Sequence, residues 1–338
     1  MKKIFVTGGH FAPAKAVIQE LLRRGRLPAG RQGWQIYYVG RKYATEGSTT
    51  LALEYSEIHT LPVHYLTITT GRIQRQFFVN VGQSILALLK IFIGLLQSFW
   101  FVLRYHPDLV LSFGSYVAVP VAIWAWIFQI PIITHEQTTV YGRANKLIAL
   151  LADKILVSWP ESVSHFPREK VILTGNPIRE EILHQKQVSS IQSPVIYVTG
   201  GSQGAKAIDQ VIPEISQKYP VISGQLSGQD SARALAKASL VVSRAGANTV
   251  AEILALGKPA ILIPLPNTFG HEQEKNAQLV TKVGLGEILE QKDLSAKSLQ
   301  QLIDKMFVDK QKYLANAAKA KSLINPNAAN LIVDELEK

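Results

Sequence analysis

Four turns rich in glycine and polar residues carry the side chains best suited to chemistry: Thr7-Gly8-Gly9-His10, Phe113-Gly114-Ser115-Tyr116, Gly200-Gly201-Ser202-Gln203-Gly204 and Arg244-Ala245-Gly246. The last opens a stretch, Ser243 to Asn276, that reads as a strand end, a glycine turn, a short helix, a second strand and a loop carrying His271, Glu272, Gln273 and Asn276. A glycine turn entering a helix N-terminus offers N–H groups and the positive end of the helix dipole, which suits a phosphate or diphosphate. Glu252, one turn into that helix, has acceptor oxygens for a vicinal pair of hydroxyls such as those of a ribose. Thr249 and Glu252 also fit a capping box, in which both side chains only satisfy the helix's own N–H groups. Spacing alone leaves both readings open.

The elements that must position these turns alternate. Lys3 to Val6 reads as a buried strand, followed by a helix with the apolar stripe Val17, Ile18, Leu21 and Leu22. Trp34 to Val39, Asp108 to Gly114, Pro131 to Glu136 and Lys154 to Trp159 read as further strands, with a largely buried helix over Tyr116 to Phe128. The pattern begins again with Val171 to Thr174, Val195 to Thr199, Leu240 to Ser243 and Pro259 to Leu265. Unbroken apolar strands between helices imply parallel sheets covered on both faces, hence an α/β chain of two doubly wound domains. The expected domains are 1–160 and 161–325, linked near Pro160 to Lys170, with the last helix, 326–338, joining the first domain. Ligands in such sheets bind at the carboxyl ends of the strands, so the four turns point to one cleft between the domains. None of the turns contains GKS or GKT, and none fits G-x-G-x-x-G, which argues against a P-loop NTPase.

Composition narrows the classes further. A chain of 338 residues with 47% hydrophobic and 18% charged residues is globular, and its length favours two domains. With no cysteine it has neither disulfides nor thiolate metal sites. No metal-ligand spacing stands out. The net charge of +11 suits nucleic acid, anionic lipid or a phosphorylated substrate. Most aromatics lie in apolar runs and are not interleaved with Arg and Lys, which disfavours nucleic acid. MKKIFVTGG reads as a first strand and not a signal peptide. Arg26 to Gly33 reads as a surface insertion without chemistry.

Gln83 to Arg104 is the most hydrophobic segment, long enough as a helix to approach the roughly 30 Å of a bilayer core. Gln83, Lys90, Gln97 and Arg104 recur every seven residues and so share one side of that helix. A helix buried within the domain, an interfacial helix and a membrane span all remain readings of this segment. Arg72, Arg75, Phe77 and Phe78 just before it, with Lys90, favour a basic and apolar membrane-facing surface.

Taken together, TGGHFAPA (7–14), SFGSY (112–116), PIITHEQ (131–137), TGNPIR (174–179), GGSQGA (200–205), SRAGANTVAE (243–252) and PLPNTFGHEQEKNA (264–277) resemble the MurG family of peptidoglycan glycosyltransferases. The motifs span nearly the whole chain in the family's order. The resemblance implies a GT-B fold of two Rossmann-like domains facing a cleft, with the lipid acceptor at the N-terminal one and the sugar donor in the C-terminal one. It implies an inverting transfer of GlcNAc from UDP-GlcNAc to the MurNAc 4-hydroxyl of lipid I, giving lipid II. No cofactor is required, and the enzyme would sit peripherally on the anionic cytoplasmic face of the cell membrane.

Carried over by position, the resemblance gives Ser202 to the donor diphosphate, Gln203 to the donor site, and Ala247, Asn248 and Thr249 to the phosphate-facing helix start. Glu252 falls to the ribose hydroxyls, Gln273 and Asn276 to the sugar, and Arg179 to the nucleotide. Thr7, Gly8 and Gly9 form the turn that presents His10 and, with Thr138, count among the residues expected to bind the donor. His10 is the implied general base, an imidazole with an ordinary pKa of about 6.5, and Glu136 is its rival or orienting group. Two departures stand out. Thr138 replaces the family's asparagine after HEQ, and Tyr219 to Ala238 is shortened and lacks the Phe-Ile pair that holds uracil. A UDP-GlcNAc 2-epimerase-like enzyme, or a MurG-like binding protein with impaired catalysis, is the alternative reading.

Overall fold

The computed structural model describes residues 1–25, 33–43, 50–71, 81–185, 194–200, 205–224, 226 and 228–338, with backbone only at 81–84. Within these, two parallel sheets form. The first contains β1 (Lys3–Thr7), β2 (Gln35–Gly40), β3 (His64–Thr67), β4 (Leu109–Ser112), β5 (Ile132–Glu136), β6 (Lys154–Val157) and β7 (Val171–Leu173), in the order β3-β2-β1-β4-β5-β6-β7. The second contains β8 (Ile196–Thr199), β9 (Val221–Ile222), β10 (Leu240–Ser243), β11 (Ala260–Leu262) and β12 (Gly286–Ile288), in the order β12-β11-β10-β8-β9. Strand order reverses between β1 and β4 in the first sheet and between β8 and β10 in the second. Those are the points where a doubly wound sheet opens a crevice beyond its strand ends.

The chain divides into a first unit of residues 1–137, 141–177 and 327–338, and a second of 138–140 and 178–326. The boundary expected at 160 therefore moves to Pro177. Val171–Leu173, expected to open the second domain, pairs in parallel with β6 and ends the first sheet. A three-residue strand fits the edge of either sheet, and its own composition does not choose between them. The shortened stretch after Tyr219 holds the two-residue edge strand β9 and a helix over Gly228–Lys237.

Helix α1 (Phe11–Gly25) packs its apolar stripe beneath the first sheet, where Val17, Ile18 and Leu21 join Ile4, Val6, Tyr38 and Leu111 in one core. The C-terminal helix Ala328–Leu336 lies against α1 and adds Ile332, Val333 and Leu336 to that core. Arg24 fastens the contact. Its guanidinium binds Glu20 at 2.7 Å, Asp334 at 2.7 Å and Glu337 at 3.1 Å, and it donates to the Asn330 carbonyl at 3.0 Å. Lys15, also on α1, pairs at 2.9 Å with Glu57 of α2 (Leu53–Ile58).

Helix α3 (Val81–Tyr105) departs from the buried-helix reading. It packs against α4 (Val119–Ile127), where the Trp124 indole donates to the Leu95 carbonyl at 2.8 Å, and its small residues Ala87, Gly94 and Ser98 are buried. A side chain at Gly94 would meet the Thr69 carbonyl at 2.6 Å, so glycine permits that close approach. The opposite face is apolar and exposed: Ile85, Leu86, Leu88, Leu89, Phe92, Ile93, Leu96, Trp100 and Leu103. At 100° per residue Lys90, Gln97 and Arg104 fall on one flank between these faces. There Lys90 is half-buried and Gln97 accepts from the Thr69 N–H at 2.7 Å. Lys90, expected to face a membrane directly, sits at the margin of the apolar face. Arg72, Arg75, Phe77 and Phe78 lie outside the described residues.

Candidate functional site

In the first unit the turn after β1 and the turn after β4 interlock at the switch point. Gly8 has φ of 142°, and a Cβ there would lie 2.8 Å from the Phe113 carbonyl carbon, so only glycine fits. The Gly9 N–H donates to the Gly114 carbonyl at 3.3 Å. Gly114 has φ of 76°, and a side chain there would strike the Asn145 amide. Thr7, expected near the donor, is fully buried and donates its hydroxyl to the Val39 carbonyl at 3.0 Å. That bond fixes the strand end and occupies the hydroxyl.

Asn145, on α5 (Arg143–Leu151), holds two site elements at once. Its Nδ2 donates to Glu136 Oε2 at 2.6 Å, and its Oδ1 accepts from the Ser115 N–H at 2.9 Å. Ser115 adopts φ of 72°, a conformation costing about 1–2 kcal/mol for a residue other than glycine. The amide of Asn145 stabilises it. A chain of hydrogen bonds thus runs from Gly9, beside His10, through Gly114 and Ser115 to Asn145 and Glu136. Beyond these turns Arg41, following β2, donates to the Tyr116 hydroxyl at 2.8 Å.

His10 is half-buried, and the protein packed around it lowers its pKa to about 4, so its ring is neutral at physiological pH. Its neighbour in electrostatics, His135, is fully buried with its pKa also lowered to about 4 by burial. His135 Nε2 bonds the Gly175 carbonyl at 3.1 Å and Nδ1 lies 3.1 Å from Gln137 Nε2. A proton on Nε2 satisfies both contacts, which makes His135 a structural imidazole. Thr138 turns its hydroxyl onto the Val140 carbonyl, within its own local turn.

In the second unit the helix Ala247–Leu256 starts where β10 ends. Its N-cap is Gly246, with φ of −68° and ψ of 144° and no side-chain cap hydrogen bond. Thr249 and Glu252 are therefore not a capping box, since Thr249 is the third residue inside the helix. A Cβ at Gly246 would meet nothing within 4 Å, and its backbone angles suit any residue. Neither strain nor packing explains glycine here. The space beyond the N–H groups of Ala247, Asn248 and Thr249 is open among the described residues.

Asn276 braces the same turn. It is 1% exposed, its Nδ2 donates to the Ala245 carbonyl at 3.2 Å, and its Oδ1 is buried without a hydrogen-bond partner. Gln273 Oε1 accepts from the Leu265 N–H at 2.9 Å and so shapes the loop after β11. Arg179 and Glu252 face each other in a two-pronged ion pair, Nε to Oε1 at 2.7 Å and Nη2 to Oε2 at 3.0 Å. Ser202 and Gln203 lie outside the described residues.

Four residues at or near these turns were given no individual role from sequence. Asn145 sits nine positions after Glu136 with no motif around it. Ser231 and Tyr197 reach the Arg179–Glu252 pair from a helix and a strand whose sequences carry no mark of it. Arg244, 6% exposed, donates to the Ile263 carbonyl at 3.1 Å, and its presence in SRAGA was the one available signal.

Two doubly wound parallel sheets, each with glycine turns at its switch point, define the GT-B class of two-domain glycosyltransferases. The glycosyltransferase family 28 N-terminal domain matches residues 7–157 and the family 28 C-terminal domain matches residues 228–332. The chain is 31% identical to UDP-N-acetylglucosamine--N-acetylmuramyl-(pentapeptide) pyrophosphoryl-undecaprenol N-acetylglucosamine transferase 1 of Bacillus cereus, covering 98% of this chain and 96% of that one. The transferase 2 of Bacillus thuringiensis is 30% identical with the same coverage. Among solved structures, MurG of Acinetobacter baumannii superposes with a TM-score of 0.73 at 25% identity, over 100% of this chain and 99% of the other. The chain belongs to the MurG family within glycosyltransferase family 28. The UDP-GlcNAc 2-epimerase of Neisseria meningitidis, at 15% identity and a TM-score of 0.62 over 99% of both chains, shares the fold alone.

Proposed function

We propose that this enzyme transfers N-acetylglucosamine from UDP-GlcNAc to the 4-hydroxyl of the MurNAc unit of lipid I, giving lipid II. The observation that carries this reading is the full-length match to transferases whose names state that donor and acceptor. The acceptor oxygen attacks the anomeric carbon on the side opposite the diphosphate. The bond to UDP breaks as the new one forms, the configuration inverts, and UDP leaves with the bonding pair. The acceptor proton passes to His10, whose lowered pKa keeps the ring neutral and able to accept it. Glu136, fixed by Asn145, orients the acceptor or the imidazole. The N-terminus of the helix Ala247–Leu256, with Ser202 and Gln203, meets the charge developing on UDP. Glu252 holds the ribose, and the unpartnered Oδ1 of Asn276 accepts from a sugar hydroxyl.

The same reading sets the enzyme peripherally on the anionic cytoplasmic face of the membrane. The exposed apolar face of α3 continues in Trp126, Ile127 and Phe128 at the end of α4. A run of large exposed apolar side chains such as this marks an interaction surface. The window Ile85–Tyr105 is long and apolar enough to span a bilayer, yet α3 packs on α4 with one face bare and the other buried, which favours a helix lying in the interface. The test of function is direct. Labelled UDP-GlcNAc and a short-chain lipid I analogue should yield a disaccharide lipid and released UDP. A folded enzyme that makes neither would refute the assignment.

A further inference from the structure

Arg179 lies where the family resemblance puts a residue against the nucleotide, but its guanidinium is engaged with Glu252. Both side chains are nearly buried, 10% and 12% exposed, and the fork-to-fork geometry takes one lone pair from each carboxylate oxygen. Arg179 Nη2 also donates to Ser231 Oγ at 3.1 Å. The Tyr197 hydroxyl, on β8 and buried, is coupled electrostatically to Ser231 and Thr199, and burial raises its pKa. Arg179 thus grips the Glu252 carboxylate, with Ser231 and then Tyr197 behind it.

Resting on the donor-site reading above, we infer that Arg179 is a positioning residue for Glu252, and that the Tyr197–Ser231–Arg179 chain makes the site selective for a ribonucleotide over a 2′-deoxyribonucleotide. The chemistry is that of a buried carboxylate. Alone it would be costly and free to rotate or take up a proton. Paired edge-on with a guanidinium, it stays ionised in one plane and keeps one acceptor direction on each oxygen. Two such directions match the two hydroxyls of a vicinal diol and fit a single hydroxyl poorly. A ribose fills both, whereas a deoxyribose leaves one oxygen of a desolvated anion unpaired.

The full-length protein and two ligands, UDP and 2′-deoxy-UDP, suffice for the test by titration calorimetry. The wild-type protein should prefer UDP by about ten- to a hundredfold, the value of one hydrogen bond to a charged group. Arg179→Lys keeps the positive charge and loses the fork. It should cut that preference to within about threefold while leaving 2′-deoxy-UDP affinity within about threefold of wild type. Glu252→Gln should flatten the preference equally, and the double variant should add nothing. Tyr197→Phe, which removes only a hydroxyl from the far end of the chain, should lower the preference about two- to fivefold with an unchanged melting temperature.

If Arg179→Lys weakens both nucleotides tenfold or more and keeps the preference intact, Arg179 contacts the diphosphate directly and the inference is wrong. A folded wild-type protein that binds neither nucleotide would overturn the donor-site reading itself, and this inference with it. The two failures are therefore distinct.

Discussion

Asn145 joins Glu136 to the Ser115 backbone, with bonds of 2.6 Å and 2.9 Å from the two ends of one amide. Glu136 is 3% exposed, and Ser115 occupies a left-handed conformation that its own side chain does not favour. Replacing Asn145 with Asp keeps the size but sets a second carboxylate against Glu136. Asn145→Asp should lower kcat by about a hundredfold, the effect of misplacing a catalytic group by about 1 Å, with a much smaller change in KM for UDP-GlcNAc. Steady-state kinetics on a folded variant checks this, and equal changes in both constants would count against a positioning role.

Gly246 offers a test in which stability and affinity move in opposite directions. Serine at this N-cap suits the backbone angles, meets open space, and can cap the helix. Gly246→Ser should leave the unfolding free energy unchanged or raise it by a few tenths of a kcal/mol. The same hydroxyl occupies the approach to the first-turn N–H groups, so UDP affinity should fall tenfold or more. Thermal melts and calorimetry on one preparation measure both.

His10 and His135 give the enzyme a definite acid response. Each ring binds its proton near pH 6.5 in the unfolded chain and near pH 4 in the fold. The fold thus binds fewer protons in that interval, so the stabilisation is complete above about pH 6.5 and lost as pH falls toward 4. For the fully buried His135 the loss is about 3 kcal/mol. Urea melts at pH 7 and pH 4.5 should show the gap between wild type and His135→Gln narrowing by most of that amount. In activity, the acid limb of kcat/KM should have its midpoint nearer 4 than 6.5, and a midpoint at 6.5 would mean that the base titrates as an ordinary imidazole and that burial does not lower it.

The exposed face of α3 predicts vesicle binding without a change in fold. Leu96 and Trp100 are 52% and 58% exposed, so Leu96→Glu with Trp100→Glu should shift stability by no more than about 0.5 kcal/mol. Each apolar side chain withdrawn from water contributes about 1.5–3 kcal/mol. Losing both, and adding two anions, should cut co-sedimentation with phosphatidylglycerol vesicles at least tenfold. Undiminished sedimentation would mean that another surface meets the lipid.

Residues local to one another in the chain were the legible ones. Apolar runs ending in glycine turns announced β1, β4, β8 and β10, and hence both switch points, because a buried parallel strand has no polar face to disguise it. Val171–Leu173 was misassigned because strand pairing depends on distant residues. Hydrophobicity could not say whether α3 was covered or bare, although its seven-residue polar stripe marked the flank correctly. The Thr249–Glu252 spacing matched a cap that Gly246 supplies instead. Arg179 and Glu252 were each singled out, but their pairing was not, because 73 residues separate them. Asn145 stayed invisible because one asparagine on a helix looks like any other.

Arg24 and the helix Ala328–Leu336 bear on the order in which the protein is made. The first unit draws part of its core, Ile332, Val333 and Leu336, from residues translated after the entire second unit of 178–326. At about 5–20 residues per second a ribosome needs roughly 7–30 s to cover that interval. During this time the underside of α1 and the acceptors of Arg24 are incomplete, and nascent apolar surface stays open to chaperones. The domain that emerges first is therefore the last to be finished.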